Sequence, residues 1–232
     1  MKHNLKAILL SSVSLCIIVV ITYSLTSVNS ISTSTNTSDV RKTIIIDPGH
    51  GGFDSGAVVD NILEKNINMQ ISLKLKDLFL SNGFKVVMTR NKDIALYTQN
   101  DNKKRSDLNT RVKLFNSNEN NIVISIHQNM FTDCRYSGTQ VFFSNNNADS
   151  SYLAECIRNS VVTLIQPENK RQCKKAGSEI FVLDNSTVPA VMVECGFMSN
   201  VNELNNLTDD KYQNKLAYSI YLGFLEFYYT NY

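Results

Sequence analysis

β-branched apolar runs recur along this chain between segments of helical periodicity. That alternation limits the available folds more than any other feature of the sequence. The runs are Lys42–Ile46, Phe84–Thr89, Ile122–Ile126, Gly138–Ser144, Glu179–Leu183 and Val191–Glu194, each of strand length. Leu63–Asn82 carries apolar residues at Ile67, Ile71, Leu75, Leu78 and Phe79, and Gly83 closes it as a helix C-cap would. Ser151–Ile165 repeats the pattern with Leu153, Ile157, Val161 and Leu164, and Pro167 stops it. Thr110–Asn116 and Lys211–Tyr228 also read as helices, whereas Asn91–Leu108 reads as a polar surface excursion around a short helix. The expected fold class is α/β: a single three-layer domain with a mostly parallel central sheet flanked by helices. Ligands of such sheets bind outside the carboxyl ends of the strands.

The N-terminus is of another kind. Lys2, His3 and Lys6 precede the uncharged stretch Ala7–Leu25, with Cys16–Ile21 as its apolar centre. It reads as an export signal or a membrane anchor, and its length favours an uncleaved anchor. The expected division is a signal or anchor over residues 1–30, a Ser/Thr/Asn-rich linker over 31–40 and a catalytic domain over 41–232. The formal net charge of +2 comes from Lys2 and Lys6, so the remainder is balanced and has no electrostatic footprint for nucleic acid. Export permits disulfides, but the five cysteines include no C-x-x-C pair, so neither an obligatory disulfide nor a zinc knuckle is expected.

Chemistry concentrates at the strand ends. His50 stands in a glycine-rich turn directly after Ile44-Ile45-Ile46-Asp47, and His127 directly follows Ile122–Ile126. The third histidine, His3, lies in the N-terminal segment. Two imidazoles at strand ends suit a metal site that takes three His or carboxylate ligands and leaves a position for water. Glu64, at the start of the next helix, is a candidate third ligand. Spacing alone also allows it to be an acid favoured by the helix dipole. Asp47, Asp54 and Asp60 are the alternative third ligands; Asp47 reads equally as a brace for the turn, and Asp54 and Asp60 read rather as solvated loop residues. Glu194 ends an apolar strand, where a carboxylate is expensive without a partner or a role. Strand alternation places Glu194 with Met192 and turns Cys195 away, which argues against a cysteine nucleophile. Glu194 suits a general base.

Taken together, Ile46-Asp47-Pro48-Gly49-His50-Gly51-Gly52, Glu64, Ser125-Ile126-His127-Gln128-Asn129 and Val193-Glu194-Cys195-Gly196-Phe197-Met198-Ser199-Asn200 resemble the zinc-dependent N-acetylmuramoyl-L-alanine amidases of the type-3 amidase family. The resemblance spans Lys42 to Tyr228. It implies one Zn2+ per chain held by His50, Glu64 and His127, with Glu194 as catalytic acid/base. The implied reaction is hydrolysis of the amide joining N-acetylmuramic acid to L-alanine in peptidoglycan. Asn129 is either a partner of the ligand shell or a loop cap. A membrane-targeted N-terminus with one catalytic domain is similar to the small spore-cortex amidases, which prepare muramic-δ-lactam formation. This implies a site of action on the outer face of the membrane, in the wall or in the spore cortex, with a protein partner or activator as a possible addition. Asn91–Leu108 and Lys174-Lys175 depart from the family pattern, which affects substrate contacts rather than the metal site.

Two other functions fit parts of the sequence. An exported zinc carboxypeptidase would need a cation to grip a terminal carboxylate, with Arg90 or Arg111 available. A non-catalytic wall- or partner-binding module would not need Glu194. The aromatic closing helix, with Tyr218, Tyr221, Phe224, Phe227 and Tyr228, is expected to pack against the sheet.

Overall fold

The computed structural model describes residues 42–98 and 102–232. The expected signal or anchor and the linker lie outside these residues. β1 (Thr43–Pro48) is followed by a small hairpin, β2 (Val58–Val59) and β3 (Ile62–Leu63), then α1 (Glu64–Ser81) and β4 (Lys85–Met88). Next come α2 (Lys103–Phe115), β5 (Asn121–Asn129), β6 (Gln140–Phe143), α3 (Asp149–Leu164) and β7 (Lys174–Lys175). A single turn, α4 (Phe181–Asp184), precedes β8 (Ala190–Phe197), and α5 (Val201–Thr208) and α6 (Asp210–Asn231) close the chain.

The sheet order is β4-β1-β5-β8-β6-β7. The first four strands run parallel and β6 runs antiparallel to β8. The chain leaves β1 through α1 to reach β4 on one side, then crosses through α2 to reach β5 on the other. The strand order therefore reverses beside β1, and such a reversal opens a crevice at the carboxyl ends of β1 and β5.

Strand alternation builds two cores. Ile44, Ile46, Ile122, Ile124, Val191, Val193 and Cys195 face α1, α3 and α6, while Ile45, Val123 and Met192 face Phe115 of α2 and Val182 and Leu183 of α4. These two apolar faces make the three layers. Each fully buried Ile, Leu or Phe contributes roughly 1.5–3 kcal/mol relative to exposure.

Several local expectations are corrected. Glu179–Leu183 is not a strand: Leu183 N and Asp184 N both donate to Ile180 O, at 3.0 and 3.0 Å, and close a helical turn. A short apolar run carries no period long enough to separate the two states. α2 begins at Lys103 rather than near Thr110, and Lys174-Lys175 is an edge strand paired with β6. The β2–β3 hairpin, turned by Asp60 and Asn61 at φ 47 and 65°, and α5 had no counterpart in the sequence reading. The closing helix packs on α1 and α3 and shares their core with the sheet; Phe79 of α1 meets Tyr221 and Phe224 with ring centroids 5.2 and 4.8 Å apart.

Candidate active site

β1 ends at Pro48, and the ladder to β5 continues one residue further through Gly49 N, which donates to Ile126 O at 3.0 Å. A Cβ on Gly49 would fall 2.2 Å from the His127 ring. Only a glycine lets that imidazole lie so close to the backbone. His50 then takes φ 60°, the left-handed region that non-glycine residues seldom enter. Reciprocal backbone bonds between Gly51 and Asp54, at 2.9 and 3.2 Å, fold the turn back on itself. Asp54 thereby reaches His50, with Oδ2 2.9 Å from Nδ1. The expectation of a solvated Asp54 is corrected: the hydrogen bond from His50 holds its carboxyl well below the usual range, against partial desolvation.

Glu64 opens α1, and its backbone N donates to Ala57 O at 2.9 Å. Its buried carboxylate lies between the two histidines, Oε2 3.2 Å from His50 Nε2 and Oε1 3.0 Å from His127 Nδ1. Ala57 N donates to Oε2 at 2.9 Å; Gln128 N and Asn68 Nδ2 donate to Oε1 at 3.0 and 3.2 Å. Burial would raise the Glu64 pKa, but hydrogen bonds and charge from His127 and His50 outweigh it and hold the carboxylate ionised. Burial would likewise lower the His50 pKa, yet Asp54 and Glu64 bring it to about 9.

The donor atoms of His50, Glu64 and His127 all lie within 4.8 Å of one another. Two imidazole nitrogens and a carboxylate oxygen are the donor set of an open zinc site. Asp54 on the far nitrogen of His50 turns Nε2 toward the cluster, as the outer partners of metal-bound histidines do. The residues therefore fit a divalent metal.

Glu194 completes the group. It is the direct register neighbour of His127 on the adjacent parallel strand, so both side chains leave the same face of the sheet. Its Oε2 is buried without a hydrogen-bond partner. Burial raises its pKa to about 7, with His127 and His50 opposing the rise and Glu64 adding to it. A cleft of about 280 Å³ brings His50, Asp54, His127 and Glu194 together with Lys104 and Phe181. A larger cleft of about 670 Å³, between Tyr136 and Arg171, holds none of these catalytic candidates.

Asp47 is a brace rather than a ligand: its buried carboxylate accepts from Thr89 Oγ1 at 2.6 Å, Ser125 Oγ at 2.7 Å and Arg111 Nη1. Asp60 sits in the hairpin turn. Arg111, available in sequence to grip a substrate carboxylate, is instead buried on Asp47 and Asp107 and donates to Pro48 O and His50 O at 2.9 and 2.7 Å. The donors of Arg90 also go to protein carbonyls. Neither arginine is left to grip a terminal carboxylate. Asn129 accepts through its carbonyl from Met198 N at 2.8 Å, and its side chain makes no hydrogen bond to the cluster. Cys195 faces the opposite core, where burial keeps its thiol protonated.

Asn68 is the residue that sequence reasoning missed, and Asp54 the one it misread. Both lie four positions after a ligand candidate. Asn68 also interrupts the apolar stripe of α1 with a buried amide.

The sequence profile of a family described as N-acetylmuramoyl-L-alanine amidase matches residues 44–226. A germination-specific N-acetylmuramoyl-L-alanine amidase of Bacillus subtilis is 36% identical over 191 residues, covering 81% of this chain and 80% of that protein. The CwlD amidase of Clostridioides difficile, solved in complex with the GerS lipoprotein, superposes with TM-score 0.78 at 36% identity, over 82% of this chain and 100% of that one. An N-acetylmuramoyl-L-alanine amidase of Clostridium difficile 630 superposes with TM-score 0.72 at 28% identity, over 83% and 99%.

Proposed function

Because this chain belongs to the N-acetylmuramoyl-L-alanine amidase family, we propose that His50, Glu64 and His127 hold one zinc ion and that Glu194 is the proton carrier of its amide hydrolysis. The chain is a hydrolase of the linear amide between N-acetylmuramic acid and L-alanine. The observation that carries the assignment of roles is the unpartnered Glu194 Oε2 beside His127, at the edge of a three-donor cluster.

Zinc at that cluster would supply Lewis acidity, polarising the scissile carbonyl and acidifying water. The protein residues do the remaining work. Glu64 is held by Ala57, Gln128 and Asn68, so its negative charge stays between the imidazoles. Asp54 fixes the His50 ring. Ionised Glu194 takes a proton from the attacking water. It returns that proton to the alanine nitrogen as the C–N bond breaks, and the second water proton passes to the released amine, leaving a lactyl carboxylate and an alanine ammonium group. Arg90 and Arg111 face protein carbonyls and carboxylates, which disfavours a carboxypeptidase. A binding module would have no use for the unpartnered Glu194 oxygen.

The physiological substrate we assign is spore-cortex peptidoglycan, where this cleavage precedes muramic-δ-lactam formation; the Bacillus subtilis relative supports this. Residues 41–232 form the catalytic domain in this reading. Residues 1–30 tether or export it, so that it works on the outer face of the membrane. The lipoprotein bound to the Clostridioides difficile relative supports a membrane-side protein partner here as well. Zinc content and release of stem peptides bearing a free L-alanine amine, scored by mass spectrometry on purified peptidoglycan, test the proposal. About one zinc per chain, with release slowed by roughly 10²-fold or more in Glu194→Gln, is expected. Peptide release in Glu194→Gln within about ten-fold of the wild-type rate would overturn the proton-carrier role, and absence of zinc from metal-replete protein would overturn the ligand set.

A further inference from the structure

Arg90 follows β4 and is buried, with 3% of its surface exposed. No carboxylate pairs with it among the described residues. Its guanidinium faces four backbone carbonyls. Nε donates to Pro48 O at 3.0 Å, Nη1 to Lys92 O at 3.3 Å, and Nη2 to both Gly49 O and Lys65 O at 2.9 Å. Pro48 and Gly49 are the two residues before His50, and Lys65 is the residue after Glu64. A single nitrogen therefore ties the turn that carries one metal-ligand candidate to the helix that carries another.

Such a tie has a use. His50 sits at φ 60°, a conformation that persists only where its surroundings over-determine it. Asn68 Nδ2 reaches the same Gly49 carbonyl at 3.2 Å from α1, so that carbonyl is held twice, while Lys65 Nζ holds the turn further along, at Gly52 O. A buried cation that no carboxylate touches, close to a site for a dication, is electrostatically costly; the charges of Asp47, Asp93 and Asp107 offset only part of the cost of burial and of neighbouring Arg111. Its retention needs a compensating gain. The planar fork supplies it, because its donors meet several carbonyls at fixed angles that an ammonium cannot match.

From this geometry we propose that Arg90 is a positioning residue: it sets the separation and orientation of His50 relative to Glu64 and thereby the affinity and coordination geometry of the metal site. The proposal rests on the ligand assignment above. Arg111 also donates to the Pro48 and His50 carbonyls, but it neutralises Asp47 and Asp107 as well. Its loss would strand buried carboxylates, so Arg90 is the cleaner probe.

The test uses the full chain in detergent, with Arg90→Lys and Arg90→Gln read together so that either folded variant suffices. Leu75→Ala, a fully buried α1 residue outside the site, serves as a stability-matched control. Zinc affinity is measured by chelator competition, and coordination by the visible absorption of the cobalt-loaded protein. The expected result is a roughly ten-fold or greater loss of zinc affinity with an altered cobalt spectrum in the Arg90 variants. Leu75→Ala should lower the melting temperature but keep zinc affinity within about two-fold. Arg90 variants with wild-type zinc affinity and cobalt spectrum would overturn the proposal, as would a loss no larger than that of Leu75→Ala. His50→Ala separates the premise: if it binds zinc as the wild type does, the ligand assignment itself fails.

Discussion

Glu194 and His127 are register partners on neighbouring parallel strands, and the carboxylate keeps one buried oxygen without a partner. A candidate proton acceptor is thereby fixed beside a metal-ligand candidate by the sheet itself, not by a loop. Glu194→Gln preserves shape and removes the basic oxygen. Its kcat should fall by roughly 10²–10⁴-fold with zinc content unchanged, as measured by stem-peptide release alongside metal analysis.

The same substitution should stabilise the metal-free protein. The folded-state pKa of Glu194 is raised from 4.5 to about 7, chiefly by burial. Its contribution to stability is therefore full below pH 4.5 and is lost as pH rises through about 7. Ionisation there costs on the order of 3 kcal/mol, at 1.36 kcal/mol per unit. Apo Glu194→Gln should melt higher than apo wild type at pH 8 and level with it at pH 4. Equal melting at both pH values would contradict the burial account.

Activity should respond to pH in the opposite sense. A carboxylate serves as base only when ionised, so with Glu194 in the proposed role kcat/KM should rise with pH along an acidic limb whose midpoint lies no higher than about 7. A bound cation favours the ionised form and moves the limb downward. Residual activity of Glu194→Gln should lack the limb.

Much of this was legible in the chain, and the failures have physical causes. Period-two alternation in Val191–Glu194 is enough to put Met192 and Glu194 on one face and Cys195 on the other, as found in the two cores. His50 and His127 were visible because each follows a β-branched run. Glu64 was ambiguous because helix-dipole acids and metal ligands occupy the same first-turn position. Asp54 was misjudged because its role depends on a left-handed residue at His50, and composition does not reveal φ. Arg111 was misjudged because its helix starts seven residues earlier than its polar sequence suggests, which turns the guanidinium inward to Asp47.

That ion pair is the next test. Burial would raise the Asp47 pKa, but Arg111, Thr89 and Ser125 hold it below 3.8. Its stabilisation is present above that value and is lost as pH falls further. Breaking a buried pair by removing one partner costs about 3–5 kcal/mol. Asp47→Ala should lower the urea midpoint accordingly at pH 7, and the gap from wild type should narrow toward pH 2. A pH-independent gap would show that the pair adds nothing beyond packing.

Two glycines separate a geometric requirement of the site from one of the fold. Gly83 has φ 80° just past α1, with nothing within 4 Å of an added Cβ. Gly83→Ala therefore meets only backbone strain, on the order of 1 kcal/mol, and should leave zinc binding and turnover intact. Gly49 is the reverse case. Its Cβ would meet the His127 ring at 2.2 Å, so the imidazole must swing or the β1–β5 ladder must part. His127 lies 3.0 Å from Glu64 and beside Glu194, so displacing it disturbs both the ligand cluster and the proton path. Gly49→Ala should lose zinc affinity and activity together, while circular dichroism retains the α/β signature. Wild-type zinc affinity in Gly49→Ala would mean that His127 is not held where this geometry puts it.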